Sequence, residues 1–186
     1  GPAGGRRRHR AVRPVQGGGH VIAMPYAEAA AALFERASLV LSESALAMYG
    51  DGGKVPEVHD HIPPKRPPFL AWCDPLADMD STTGGATSSE YAKQFTLHVY
   101  LFATHAKFDV ARESVQRWVN SLCYGIAADA TLGGAVDCAI PRMSDAGYDS
   151  TPDKKYVVAA QVDVTCKVFS ACPREFKELV RNASRG

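Results

Sequence analysis

The chain lacks most of the features by which a catalytic, membrane-bound or disulfide-stapled protein declares itself. No apolar run reaches the ~18–20 residues of a membrane-spanning helix. The basic N-terminus is followed by no apolar core of a secretory signal, so synthesis in a cytosol is expected. There is no C-x-x-C, and the five cysteines (Cys73, Cys123, Cys138, Cys166, Cys172) are an odd number. Three of them lie in or beside apolar patterns, so they read as small buried hydrophobes in a reducing compartment, with neither disulfide nor zinc. No G-x-S-x-G is present, and Gly17-Gly18-Gly19 is followed by His20, which rules out a phosphate-binding P-loop. No repeat of 20–50 residues is visible.

Metal-like groupings are sparse. His59 and His61 stand at i, i+2, a spacing that puts both on one face of a strand, yet no third ligand follows. They read as a solvated edge. Asp74, Asp78 and Asp80 have a faint look of a cation loop but lack the glycine and terminal Glu of an EF-hand. No cofactor and no metal are expected.

Charge is distributed unevenly along the 186 residues. Residues 1–23 hold Arg6, Arg7, Arg8, Arg10 and Arg13 and no acid, whereas the rest carries 16 Lys/Arg against 20 Asp/Glu, a balance of about −4. This Gly- and Arg-rich segment cannot bury enough apolar surface to order itself. Three readings stay open: a protease remnant or upstream-start artefact (Gly1-Pro2), a basic arm that orders on an anionic partner, or a nucleic-acid-binding arm. Arginine runs attract phosphate, but no aromatics are interleaved for base stacking.

From Met24 onward the periodicities are informative. Pro25 suits a first helical turn, and a helix is predicted over Tyr26–Met48, with Ala27, Ala30, Ala31, Phe34 and Ala37 on its apolar face and Gly50-Asp51-Gly52-Gly53 as its stop. Lys54–His61 is a short candidate strand. Pro63-Pro64-Lys65-Arg66-Pro67-Pro68 forbids helix and reads as a stiff connector, an SH3-type ligand being the alternative. Phe69–Cys73 is a strand. Asp74–Glu90, rich in Ser, Thr and Gly, reads as a mobile loop, and loops of that length are functional or disordered.

Gln94–Ala103 alternates, with Phe95, Leu97, Val99 and Leu101 on one face. Asp109 is a candidate N-cap for a helix whose stripe is Ala111, Val115, Trp118, Val119 and Leu122. Trp118 is expected to anchor that helix on the sheet with Leu97, Val99 and Val162. After Thr131-Leu132-Gly133-Gly134, Val136, Cys138 and Ile140 alternate. A turn at Asp149–Lys155 then leads to a long alternating strand from Val158 to Val168. A short helix over Pro173–Arg181 carries Phe176, Leu179 and Val180. The sum is an α+β fold: a mostly antiparallel sheet, two helices packed on one face, a long loop between strands and a short C-terminal helix. It divides into an arm (1–23), a domain (24–170) and a C-terminal helix and tail (171–186).

The segment from Phe95 to Phe169 resembles the tail terminator, or tail-completion, proteins of long-tailed bacteriophages. The strand "FTLHVYLFA" leads through "KFD" into the helix "VARESVQRWVNSLCYGI"; "ADATLGGAVDCAI" and "YDSTPDKKYVVAAQVDVTCKVF" follow. "YAEAAAALFERA" and "PFLAWCD" stand where that family has its first helix and first strands. The resemblance implies a structural, non-catalytic virion protein at the tail and neck, assembled in host cytoplasm. It implies a homo-oligomeric ring, a hexamer, that stops growth of the tail tube and docks the head. Its partners would be itself, the tail tube protein and the head-neck connector or stopper, with DNA passing through the lumen and no membrane. On this reading Asp78, Met79, Asp80, Ser81, Thr82, Thr83, Gly84 and Gly85 form an assembly or docking loop, and Arg6–Arg13 meet an anionic partner. The alternatives are another neck component such as a head-closure, stopper or tube protein, a small nucleic-acid-binding protein using the arm, and an uncharacterised enzyme.

Overall fold

The structure, a computed structural model, describes residues 22, 24–76, 78–84, 90–171 and 173–184. The chain order is α1 (Pro25–Val40), α2 (Glu43–Leu46), a 3₁₀ turn (Ala47–Tyr49), β1 (Glu57–His59), β2 (Phe69–Cys73), β3 (Asp78–Gly84), β4 (Glu90–His105), α3 (Phe108–Ala128), β5 (Cys138–Ser150), β6 (Tyr156–Ala171) and α4 (Arg174–Ala183). The sheet has six strands in the order β1-β2-β4-β6-β5, with β3 also on β4. β1 runs parallel to β2 and the other pairings are antiparallel. The α+β reading holds.

The spine is β4 against β6, paired over sixteen positions from Glu90↔Ala171 to His105↔Tyr156. Along its other edge β4 is shared. β3 pairs with the stretch Tyr91–Thr96 and β2 with Val99–Ala103. Part of the long loop read from the sequence at Asp74–Glu90 is therefore a strand: Asp78–Gly84 form β3, with a bulge between Met79 and Ser81. That stretch has no apolar alternation, so a ladder to the extended β4 decides its conformation. Gly85 lies outside the described residues.

The core sits between one face of this sheet and the helices. Phe95, Leu97, Val99 and Leu101 of β4 and Val162, Val164 and Cys166 of β6 are buried there with Trp118 of α3. The stripe read for α3 is buried at Ala111, Val115, Trp118 and Leu122, with Ser114, Ser121 and Ile126 added and Val119 left half-buried. Lys107 holds the N-cap position of α3, and Asp109 lies in its first turn beside Arg112 at 3.1 Å. There it favours the positive end of the helix dipole without capping it.

α1 differs from its sequence reading in phase and in length. Its buried residues are Ala29, Leu33 and Ala37, while Ala27 and Ala31 are exposed. An alanine-rich helix has little apolar contrast, so its phase is set by what it packs on. It stops at Val40 because the Ser42 hydroxyl accepts from the Ala45 N–H (3.4 Å) and starts α2. α1 and α3 approach closely. A Cβ on Gly125 would fall inside contact distance of the Val40 side chain, and Ser121 Oγ donates to the Val40 carbonyl.

Candidate assembly surfaces

Two turns frame α3 and fix how the rest of the molecule sits on it. In the first, Gly50 and Gly52 have φ of +87° and +94°, values that favour glycine. Arg117 donates to the carbonyls of Gly50 (2.9 Å) and Asp51 (3.0 Å). Trp118 Nε1 donates to the Lys54 carbonyl at 2.7 Å, and Ser114 Oγ accepts from the Lys54 N–H at 3.2 Å. The buried indole and hydroxyl are thereby satisfied.

The second turn holds Thr131-Leu132-Gly133-Gly134. Leu132, Gly133 and Gly134 all have positive φ (49°, 71°, 91°). Asp129 organises them: its carboxylate accepts from Thr131 Oγ1 (2.6 Å), Gly133 N–H (2.8 Å), Thr131 N–H (3.1 Å) and Arg36 (2.9 Å). Hydrogen bonds from Thr131, Gly133 and Arg36 hold the Asp129 carboxyl far below the usual carboxylate range. Arg36 also donates to the Gly125 carbonyl at 2.6 Å, so this turn ties α1 to the end of α3.

The sheet face opposite the helices bears no described helix and carries an aromatic patch. Trp72 stacks on Tyr100 (4.9 Å between centroids) and on Phe102 (5.1 Å). The Arg66 guanidinium lies 5.9 Å from the Trp72 ring centre and 5.6 Å from that of Phe102, at cation–π distance. The proline-rich connector thus brings an arginine over this face. Further along it, His98 Nδ1 meets Asp163 Oδ1 at 2.7 Å and Gln161 Nε2 donates to the same oxygen at 2.8 Å. Burial pushes the Asp163 carboxyl up, but hydrogen bonds from Gln161, His98 and Ser144 outweigh it and leave the group below its ordinary value.

On the helix side, β5 is an edge strand exposed almost throughout from Arg142 to Ser150. Between it and α3 lies a groove of about 600 Å³, walled by Phe108, Val115 and Val119 on one side and Met143, Tyr148 and Val158 on the other. Met143 and Tyr148 are 53% and 73% exposed, although Tyr148 packs edge-on against Phe108 at 5.0 Å. Arg112, Gln116 and Asn120 add polar groups. The lining residues include no carboxylate, histidine or cysteine.

The residues singled out from sequence do not form one site. Asp78–Gly84 are spread along β3, while Arg6, Arg7, Arg8, Arg10 and Arg13 lie outside the described residues. His61 pairs with its neighbour Asp60 at 2.5 Å and His59 lies 3.5 Å from Glu57. Among the described residues no three His, Cys, Asp or Glu side chains converge on a metal position. Cys73 and Cys166 are buried, and burial pushes both thiols up to about 12. No described helix is long and apolar enough to cross a membrane. The groove and the aromatic patch were missed by sequence reading. Tyr148, which is exposed, and Tyr100, half-buried on the outward face of β4, were their visible signals.

No family model matches this chain, and no curated protein does. Among solved structures it is similar to a chain described as "Virion of native gene transfer agent (GTA) particle", at 12% identity over 74% of this chain and 93% of that one, with a TM-score of 0.38.

Proposed function

We propose that the protein is a structural component of a tailed virion, a tail-terminator-type subunit that closes into a ring, ends tail-tube growth and presents a surface to the head or neck. It acts by assembly and without catalysis. The observation that carries this reading is the outer edge of β5, which no other described strand pairs with. A long edge strand with Ile140, Met143 and Tyr148 exposed along it is a liability in a solitary protein and is covered in an assembled one. The order β4-α3-β5-β6, with two helices on one sheet face, is the arrangement implied by the family resemblance. A heterologous contact through such an edge closes a ring when the rotation between neighbours allows it. Electron microscopy of the purified protein, with its mass measured in solution and with tail tubes present, tests the proposal. Rings of uniform subunit number bound at tube ends are expected. A protein that stays monomeric at high concentration, alone and with tubes, overturns it.

A further inference from the structure

α4 is built like a helix that belongs in a groove, and it is not in one. Phe176, Leu179, Val180 and Ala183 follow at i, i+3, i+4 and i+7, a single apolar stripe. Yet no residue of α4 is buried, and Phe176, Leu179 and Val180 are 49%, 65% and 62% exposed. The α3–β5 groove has matching dimensions. It follows α3 from Phe108 to Asn120, about 18 Å of helix, against about 15 Å for the ten residues of α4.

One charge also matches. Around α4, Glu175 flanks one side of the stripe and Lys177 and Arg181 the other. The α3 wall of the groove carries Arg112, while Asp145 and Asp149 of β5 pair with Gln161 and Val157 on the other face of the sheet, where Asp145 lies with Tyr100 and Phe102. The Glu175 side of the helix therefore has a wall of opposite sign available to it.

α4 cannot fill the groove of its own chain. The groove lies beside Val158–Val162 of β6, which pair with Tyr148–Met143 of β5. β6 continues nine residues past Val162 to Ala171, still paired with β4, which carries the chain about 30 Å away. Only Cys172 and Pro173 separate β6 from α4, a tether of at most about 11 Å. To lay its stripe in that groove, α4 would have to strip β6 from β4.

We propose that α4 of one copy docks in the α3–β5 groove of the next, Phe176, Leu179 and Val180 seating against Val119, Met143 and Tyr148. This rests on the ring-forming reading above and gives it a specific head-to-tail contact. Each subunit donates one helix and receives one, which is the heterologous geometry that a ring requires.

The test compares the mass in solution of the full chain, of Phe176→Asp with Leu179→Asp, and of Met143→Asp with Tyr148→Asp. All four positions are exposed, so the thermal melts of the monomers should coincide. Each double variant should lose assembly at concentrations where the unaltered chain is assembled, a weakening of at least about 100-fold. A mixture of the two variants should give dimers and nothing larger, because one intact helix meets one intact groove. Assembly of either variant like the unaltered chain overturns the helix–groove contact and leaves the ring reading standing. So does recovery of full rings on mixing. Open chains or dimers of the unaltered protein that both variants abolish support the contact and overturn the ring. An unaltered chain that is monomeric alone and with tail tubes overturns both. If the groove variant melts early, the helix variant decides, since no α4 side chain is buried.

Discussion

At the scale of single residues, the side chains that matter most are those that satisfy a buried or strained neighbour. Trp118 is fully buried and also donates to the Lys54 carbonyl, so it packs the core and fastens the glycine turn at once. Trp118→Ala should cost ~3–5 kcal/mol in a denaturant melt. A loss under ~1 kcal/mol would contradict its burial. Asp129 is a different case, because its stabilising effect depends on charge. Its carboxyl is held below its ordinary value by hydrogen bonds from Thr131, Gly133 and Arg36. A depressed folded-state pKa contributes stability that is fully present above the unfolded value of ~4 and is lost as pH falls below it. Asp129→Asn should therefore lower the melting temperature at pH 7, and the gap to the unaltered protein should close as pH falls from about 4 toward 2. Melts at a series of pH values check this, and a gap that stays constant or widens in acid would show that the carboxylate charge has no part in holding the turn.

At the scale of elements, β3 is the clearest case of a segment whose state is decided elsewhere. Asp78–Gly84 are polar and pair only because β4 reaches out as far as Glu90 to meet them. Deleting Met79–Ser88 should uncover one edge of β4 along Tyr91–Thr96 while leaving Val99–Ala103, which pair with β2, covered. Hydrogen exchange should then speed up at the amides of Tyr91–Thr96 that face β3 by ~10-fold or more and change little over Val99–Ala103. Equal exchange before and after the deletion would mean that β3 adds no protection. Much of the rest was legible. β2 falls where the Phe69–Cys73 pattern put it, and α3 and β6 contain their predicted stripes. The phase of α1 was not legible, since Ala27, Ala30 and Ala31 differ from Ala29 only in what they happen to face.

At the scale of the whole molecule, the charge asymmetry and the open edges set expectations about partners. The described core draws on nothing before Tyr26. Removal of residues 1–23, with their five arginines and no acid, should leave the melting temperature within a degree or two, as expected for a Gly- and Arg-rich segment whose composition offers little apolar surface to bury. Binding that the arm confers on an acidic neighbour or on DNA should fall steeply with salt. Titrations at two salt concentrations, with and without the arm, measure this. A melting temperature several degrees lower on truncation, or binding indifferent to salt, would count against a free basic arm.

The sequence by itself determined the α+β class, the faces of β4, β6 and α3, and the positions of the two glycine turns. Each of these depends on local periodicity or on backbone conformations that few residues adopt. Only the tertiary structure decided that polar residues 78–84 form a strand, that Arg66 lies over Trp72 and Phe102, and that α3 and β5 enclose an apolar groove. It also decided that α4 starts too far from that groove to enter it. These are relations between segments far apart in the chain, set by strand pairing and by the lengths of β4 and β6, and a pattern read along one segment carries no information about the distance to another.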